Sequence, residues 1–302
     1  MPESASKRFV EQVGAWRVSG RRRIPDRAAA PDVPPAEAPL VVALHGGTYT
    51  SAYFDLPGFS LLDRAAAAGI PIVALDRPCY GETTPLDPGT ETIRNSAERL
   101  DAIIAGLVAQ SAEPERKIVL LGHSIGAAIA LAIAARQPSW RLIGVAVSGM
   151  CLESPPEAGA AWSALPETTM VELPPALKDA VMFGPDHTFD PPMPGLGHHA
   201  DAPVPRAELI DIVMGWPDIA GDVLGDVRVP VYYRLGEFDR LWVTDAEQVA
   251  RFAAALSTAP RVDAALMRGV GHCIDFHRLG AEFQAGQIDF ALGCGAATSD
   301  SA

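Results

Sequence analysis

At 302 residues and 48% hydrophobic content, the chain is long enough to bury a sizeable core, as one large α/β domain or two modest ones. A formal net charge of −13 argues against a nucleic-acid partner, because phosphate binding needs a concentrated basic surface; Arg21-Arg22-Arg23 alone hints at one and reads as solvated. Cys79, Cys151, Cys273 and Cys294 fall in no zinc or C-x-x-C spacing, and no stretch approaches the ~18 apolar residues of a membrane span, so the expectation is a cytoplasmic protein with reduced thiols, no metal and no membrane span.

Met1 to Val10 reads as a polar lead without an apolar run behind it. Val13 to Ile24 supplies one or two strands, and the proline-rich Pro25 to Pro39 reads as a loop. Regular alternation follows: strands at Leu40 to Leu44, Ile70 to Leu75, Ile118 to Leu121 and Leu142 to Val147, separated by helical patterns at Phe59 to Ala68, Thr90 to Ala109 and Ala127 to Ala135. Alternation of this kind predicts a parallel sheet with helices on both faces. It lapses from Cys151 to Arg228, where prolines and glycines interrupt short helical pieces such as Pro175 to Met182 and Arg206 to Met214. It resumes with a strand at Val229 to Leu235, a helix at Asp245 to Leu256, a strand at Val262 to Met267 and a final helix beginning near Ile274. The organisation expected is a core in two parts, residues 1–150 and 229–302, with residues 151–228 inserted as a lid.

The chemistry is carried by Gly122-His123-Ser124-Ile125-Gly126, placed where a buried strand ends and a helix begins. A serine hydroxyl is a weak nucleophile and must be held exposed beside a base, which a sharp strand-to-helix turn achieves. Glycines two residues to either side of Ser124 suit a strained backbone with close neighbours. Partners follow in the order Ser, Asp, His: Asp239 in Leu235-Gly236-Glu237-Phe238-Asp239 and His272 in Gly269-Val270-Gly271-His272, each just past a strand. Glu237, Asp245 and Glu153 are rival carboxylates. His45-Gly46-Gly47 offers donors for a developing oxyanion, with the Gly47 N–H (or, as the lesser choice, that of Thr48) opposite the Ile125 N–H.

This ordered set, together with Asp76-Arg77-Pro78-Cys79-Tyr80-Gly81, resembles the α/β-hydrolase superfamily, in its lid-bearing esterase and lipase-like branch, over roughly Leu40 to Phe290. The resemblance implies an α/β-hydrolase fold with an eight-stranded, mostly parallel sheet, a Ser-His-Asp triad of Ser124, His272 and Asp239, and no cofactor. Cys79 departs from the glycine common at its position, so that turn is expected to differ in shape, with Cys79 a candidate to border the pocket.

The expected reaction is hydrolysis of a carboxylic ester, or a thioester or lactone, of a small apolar molecule, through an acyl-enzyme on Ser124. A carbon-carbon bond hydrolase or cofactor-free perhydrolase on the same residues is the alternative within enzymes, and a non-catalytic small-molecule receptor the alternative outside them. Tyr49, Met150, Trp162, Phe183 and Trp216 are the candidate substrate-binding residues, with Tyr53, Phe54 and Met182 as further aromatic or apolar candidates. His187, His198 and His199 with Asp186 and Asp201 match no ligand pattern and read as loop residues, and His123 and His277 as packing or surface groups. Oligomeric state is not encoded in any of these patterns.

Overall fold

A computed structural model describes residues 6–25 and 38–297. In chain order it contains β1 (Lys7–Val13), β2 (Trp16–Arg23), β3 (Leu40–Leu44), α1 (Leu61–Ala67), β4 (Ile72–Leu75), α2 (Thr92–Ala109), β5 (Ile118–His123), α3 (Ile125–Ala135) and β6 (Leu142–Ser148). After α4 (Ala158–Ser163), β7 (Met170–Val171), α5 (Pro175–Met182), β8 (Val204–Pro205), α6 (Arg206–Ile210) and α7 (Trp216–Gly225), the core resumes with β9 (Val231–Gly236), α8 (Ala246–Ala255), β10 (Val262–Met267) and α9 (Gly280–Ala297).

Eight strands form one sheet in the order β1-β2-β4-β3-β5-β6-β9-β10, parallel from β4 to β10 and antiparallel where β2 meets β1 and β4. The central strands read as unbroken apolar runs because both faces are covered. Val42 and Leu44 turn to one cluster while Val41 and Ala43 turn to the other, and Leu120 and Val119 divide in the same way. The first cluster packs α2, α3, α7 and α8 against the sheet through Leu100, Ile103, Ile129, Trp216 and Phe252. The second packs α1 and α9 through Leu61, Leu62, Phe283 and Phe290. Helix α3 is apolar around its whole circumference and almost wholly buried, as befits a helix held between the sheet and other helices; each buried Ile or Leu there contributes roughly 1.5–3 kcal/mol.

Two expectations need correction. The polar lead contains a strand: β1 covers Lys7–Val13, an edge strand whose inward side chains are Phe9 and Val13, so its apolar content is too thin to stand out in sequence. The final helix starts at Gly280; Ile274–Phe276 is a short 3-10 turn whose three side chains are buried. Of the expected Pro25 to Pro39 loop, residues 26–37 lie outside the described residues.

The topology concentrates loop ends at one edge. From β3 the chain steps outward to β4 and then returns to place β5 on the other side of β3, so the strand order reverses there. Parallel sheets open a crevice for ligands at the carboxyl ends of the strands at such a reversal. Leu44 is in register with Gly122, Gly122 with Val147 and Gly236 with Met267, which sets the loops after β3, β5, β6, β9 and β10 side by side.

Candidate active site

Ser124 occupies a one-residue turn between β5 and α3. Its N–H donates to the Ser148 carbonyl of β6 at 2.8 Å, while its own carbonyl accepts from the N–H groups of Ala127 and Ala128 at 2.8 and 3.2 Å, the first bonds of the helix. Satisfying both leaves φ 56° and ψ −125°, a left-handed conformation that costs a non-glycine residue about 1–3 kcal/mol. The flanking glycines answer to crowding. A Cβ on Gly122 would stand 2.5 Å from the Gly126 carbonyl oxygen and 2.6 Å from Ala127 Cα, and one on Gly126 would meet the carbonyl oxygens of Leu44 and His45.

Asp239 and His272 come together from the loops after β9 and β10. His272 Nδ1 lies 2.7 Å from Asp239 Oδ2, with both side chains buried. The second carboxylate oxygen accepts from Leu241 N–H at 3.0 Å, which fixes the carboxylate plane. The proton on His272 is thereby assigned to Nδ1, leaving the Nε2 lone pair free. Among the described residues no hydrogen bond closes from Ser124 Oγ to His272. His123, which precedes Ser124 in the chain, has its ring centroid 4.8 Å from that of His272.

The rival carboxylates have other tasks. Glu237 accepts from Gly269 N–H at 2.9 Å and from Arg268. Asp245 caps α8 by accepting from Gln248 N–H, and the exposed Glu153 binds Gln248 and Arg251.

Two further histidines brace the site. His123 is buried and stacked on Tyr53 at 4.7 Å, and burial, then the neighbouring His272 and His45, hold its imidazole well below the ordinary range and so neutral. Tyr53 in turn donates to Asp275 at 2.9 Å, a carboxyl that burial pushes upward. His277 Nε2 accepts from Gly271 N–H at 3.0 Å, steadying the backbone just before His272, and burial lowers its pKa to about 4.

The His45-Gly46-Gly47 loop lies against the serine. A Cβ on Gly46 would be 2.9 Å from Ser124 Cβ, and one on Gly47 would be 3.0 Å from Ile125 Cδ1. Gly47, Ser124 and Ile125 therefore border the same space. Thr48 follows with φ 65°, buried, its hydroxyl without a hydrogen-bond partner among the described residues, while its carbonyl accepts from buried Lys178 at 2.8 Å.

Around this point is a cavity of about 30 Å³ lined by Gly47, Thr48, Ser124 and Ile125, by Leu241 and Trp242, and by Ser154, Trp162, Leu173, Met182, Leu209, Ile212 and Val213. Ile212 and Val213 belong to a π-helical turn, Asp211–Gly215, that joins α6 to α7. Of the aromatic and Met candidates, Trp162 and Met182 line this cavity. The others are committed elsewhere. Tyr49 packs under the Lys178 ammonium and against Cys273. Met150 is a core residue whose carbonyl accepts from Tyr233. Phe183 stacks among Phe189 and Phe276, Trp216 is fully buried with its indole N–H on the Cys151 carbonyl, and Tyr53 and Phe54 pack in the second core cluster. Leu173, Leu209, Ile212, Leu241 and Trp242 carried no sequence signal of their own, since an apolar residue in an irregular segment reads as packing. A larger cavity, about 680 Å³, lies beside β1, β2 and α2 and includes none of Ser124, Asp239 or His272.

Cys79 does not line the small cavity. Its φ is 74°, so the turn after β4 keeps the left-handed conformation that suits glycine. Burial raises the thiol's pKa. No group of three or more His, Cys, Asp or Glu side chains is gathered for a metal ion among the described residues; His198 pairs with Asp179 at 2.9 Å. Nor is any described helix long and apolar enough to cross a membrane.

Comparison with known proteins bears on the whole of this edge. The chain is 27% identical over 115 residues to protein phosphatase methylesterase 1 of Pongo abelii, a match spanning 38% of this chain and 28% of that protein's length. Its fold is similar to that of a putative lipase from Acinetobacter baumannii, with a TM-score of 0.67 at 16% identity over 96% of this chain and 92% of the other. It is likewise similar to 2-hydroxy-6-oxo-6-phenylhexa-2,4-dienoate hydrolase from Rhodococcus, with a TM-score of 0.64 at 19% identity, covering 95% and 99% of the two chains. The family model described as the alpha/beta hydrolase family matches residues 41–282, four-fifths of the sequence, from β3 through the start of α9. The chain belongs to the alpha/beta hydrolase family.

Proposed function

We propose that this protein is a serine hydrolase cleaving a carboxylic ester of a small apolar substrate, with Ser124 as nucleophile, His272 as general base and acid, and Asp239 as the group that orients and stabilises the imidazole. The observation that carries the reading is the buried Asp239–His272 pair at 2.7 Å at the same sheet edge as a serine held in a strained turn. Ser124 Oγ attacks the ester carbonyl carbon as its proton passes to His272 Nε2, and the C=O π pair moves onto oxygen. The Gly47 and Ile125 amides hold that oxyanion, aided by the N-terminal dipole of α3. Collapse expels the alkoxide, which takes the proton from His272. Water then repeats the sequence on the acyl-enzyme and releases the acid and free Ser124.

Residues 151–228 serve as the lid. A cavity of 30 Å³ accommodates little more than water, whereas pockets for small organic ligands run to roughly 300 Å³ and above. Seven of its thirteen lining residues, from Ser154 to Val213, come from this segment. Substrate entry therefore requires the lid to shift, and closing the Ser124–His272 contact belongs to the same step. The apolar lining favours an apolar acyl or alcohol group.

A second reading, a carbon-carbon bond hydrolase, has support from the similarity in fold to the Rhodococcus dienoate hydrolase. The two are separated by assaying p-nitrophenyl esters of increasing acyl length and a vinylogous diketone, each with the wild type and Ser124→Ala. Ester turnover that falls by three or more orders of magnitude in the variant is the expected result. Turnover of the diketone alone would establish the second reading, and equal ester rates in both proteins would remove Ser124 as nucleophile.

A further inference from the structure

The loop that supplies the Gly47 amide is held by a buried arginine whose counter-charge comes from the lid. Arg77, the residue after Asp76 in the turn beyond β4, is fully buried. Its Nε donates to the His45 carbonyl at 2.7 Å and its Nη2 to the Gly46 carbonyl at 3.1 Å. Nη1 and Nη2 also bind the two carboxylate oxygens of Glu208, in α6, at 2.5 and 3.0 Å. Tyr80 completes the carboxylate's shell with a hydroxyl at 2.7 Å. Four of the five N–H groups of a guanidinium are thus engaged, two on the loop and two on the lid.

The consequence follows from peptide geometry. The Gly46 carbonyl and the Gly47 N–H belong to one planar trans unit, so they point in opposite directions and turn together. Whatever fixes the carbonyl aims the amide. Besides Arg77, the Gly46 carbonyl accepts from His45 Nδ1 at 2.7 Å. His45 Nε2 accepts from the Arg77 backbone N–H at 3.1 Å, which assigns the His45 proton to Nδ1. Burial, and then the Arg77 charge, push the His45 pKa down to about 3, so the ring stays neutral and keeps this arrangement. A carbonyl with two donors is also polarised, which strengthens the N–H on the far side of the same peptide as a donor.

We propose that Arg77 is a positioning residue for the oxyanion site, that it aims the Gly47 amide through the Gly46 carbonyl, and that Glu208 of the lid holds Arg77 in the orientation this requires. The role rests on the acyl-transfer reading above. It assigns Glu208 a task in catalysis although it touches no substrate, and it ties the seating of α6 to the competence of the oxyanion site. Lysine in place of Arg77 would keep a charge but could not span the loop and the carboxylate with a planar fork. Glutamine at 208 would keep the size but abolish the charge-assisted pair.

The test compares wild type with Arg77→Lys, Glu208→Gln and the milder Tyr80→Phe, which removes one hydrogen bond to Glu208 and keeps the ion pair. Each is assayed for kcat and KM on a short p-nitrophenyl ester and for inhibition by an alkyl trifluoromethyl ketone. The serine adds to that ketone to give a tetrahedral oxyanion, so its affinity reports on the oxyanion site. We expect kcat to fall about 100-fold in Arg77→Lys, about 10-fold in Glu208→Gln and about 3-fold in Tyr80→Phe, on the scale of a misaimed oxyanion donor. KM should change little. The ketone's inhibition constant should rise by the factor by which kcat/KM falls, which a loss of folded protein alone would not produce. Folded Glu208→Gln and Tyr80→Phe with unchanged kcat/KM, or with reduced kcat/KM and unchanged ketone affinity, would overturn the role even if Arg77→Lys fails to fold. A wild-type protein that neither hydrolyses the ester nor binds the ketone would instead overturn the proposed reaction, and this role with it.

Discussion

The sheet edge and the segment between β6 and β9 meet at the same cavity but are specified in different ways. At the edge, backbone sterics dictate the residues. Gly122 and Gly126 have no room for a Cβ, Ser124 is held at φ 56°, and Asp239 and His272 meet because two parallel strands end in register. In the other segment, position comes from side chains that find partners far away in sequence. Glu208 binds Arg77 across 131 residues, and Asp211 accepts from Thr92 and Ile93 at the start of α2. On the proposed reading the edge carries the chemistry, while residues 151–228 govern which molecule reaches it and, through Glu208, how well one oxyanion donor is aimed.

The largest expected effect lies at the edge. Asp239→Asn should leave the fold intact and lower kcat by about 10⁴-fold, because the asparagine favours the wrong His272 tautomer. A drop under about tenfold, measured at saturating ester, would move the catalytic carboxylate away from the loop after β9.

Stability against pH comes next. His277 is pushed down to about 4 and His45 to about 3, and His123 is also lowered, all from 6.5 and all with burial as the largest cause. A folded-state value below the unfolded one means the unfolded chain takes up protons first. The stabilisation is thus present above about pH 6.5 and is lost as pH falls from there toward 4 for His277 and 3 for His45, by roughly 2 kcal/mol for each of these two between pH 7 and pH 5. Urea titrations at those two pH values, with wild type and His277→Gln, would show the difference, and the variant should lose about 2 kcal/mol less. Equal losses would mean that His277 is not kept neutral.

The lid should give a smaller and more selective response. Trp162→Ala, at a half-buried position lining the cavity, should change KM for long-chain p-nitrophenyl esters by about tenfold, since roughly 1.4 kcal/mol is a modest share of a buried Trp side chain. Its kcat on the acetate ester should stay within about threefold. An equal fall on all chain lengths would make Trp162 part of the chemistry. Smallest of all, Cys79→Gly should raise stability by up to about 1 kcal/mol by relieving a left-handed conformation. A thermal unfolding shift in the opposite direction would show that the Cys79 side chain contributes more by packing than its backbone costs.

What could be read in the sequence follows the same division. The apolar runs of β3, β4, β5, β6 and β9 stand out because two covered faces leave no polar alternation. The Gly-x-Ser-x-Gly turn stands out because crowding permits nothing larger at its ends. Strand β1 is hard to see in sequence because the polar Lys7, Arg8, Glu11 and Gln12, exposed or half-buried on an edge strand, outnumber its two buried side chains, Phe9 and Val13. Buried Ile274 and Phe276 in a 3-10 turn look helical in one dimension, which draws the expected start of α9 toward Ile274 and away from Gly280. Tyr49, Met150, Phe183 and Trp216 carry the composition of a pocket, yet hydrogen bonds and ring contacts with distant residues draw them into packing. Arg77 was visible in its motif, but nothing in the sequence pairs it with Glu208.

The most direct test of the account is to react the wild-type protein and Ser124→Ala with an alkyl fluorophosphonate and to locate the adduct by intact mass and peptide mapping. One phosphonyl group on wild-type protein, found on the peptide containing Ser124 and missing from the variant, is the result the account predicts. A single adduct on another residue, or one that persists in Ser124→Ala, would contradict it.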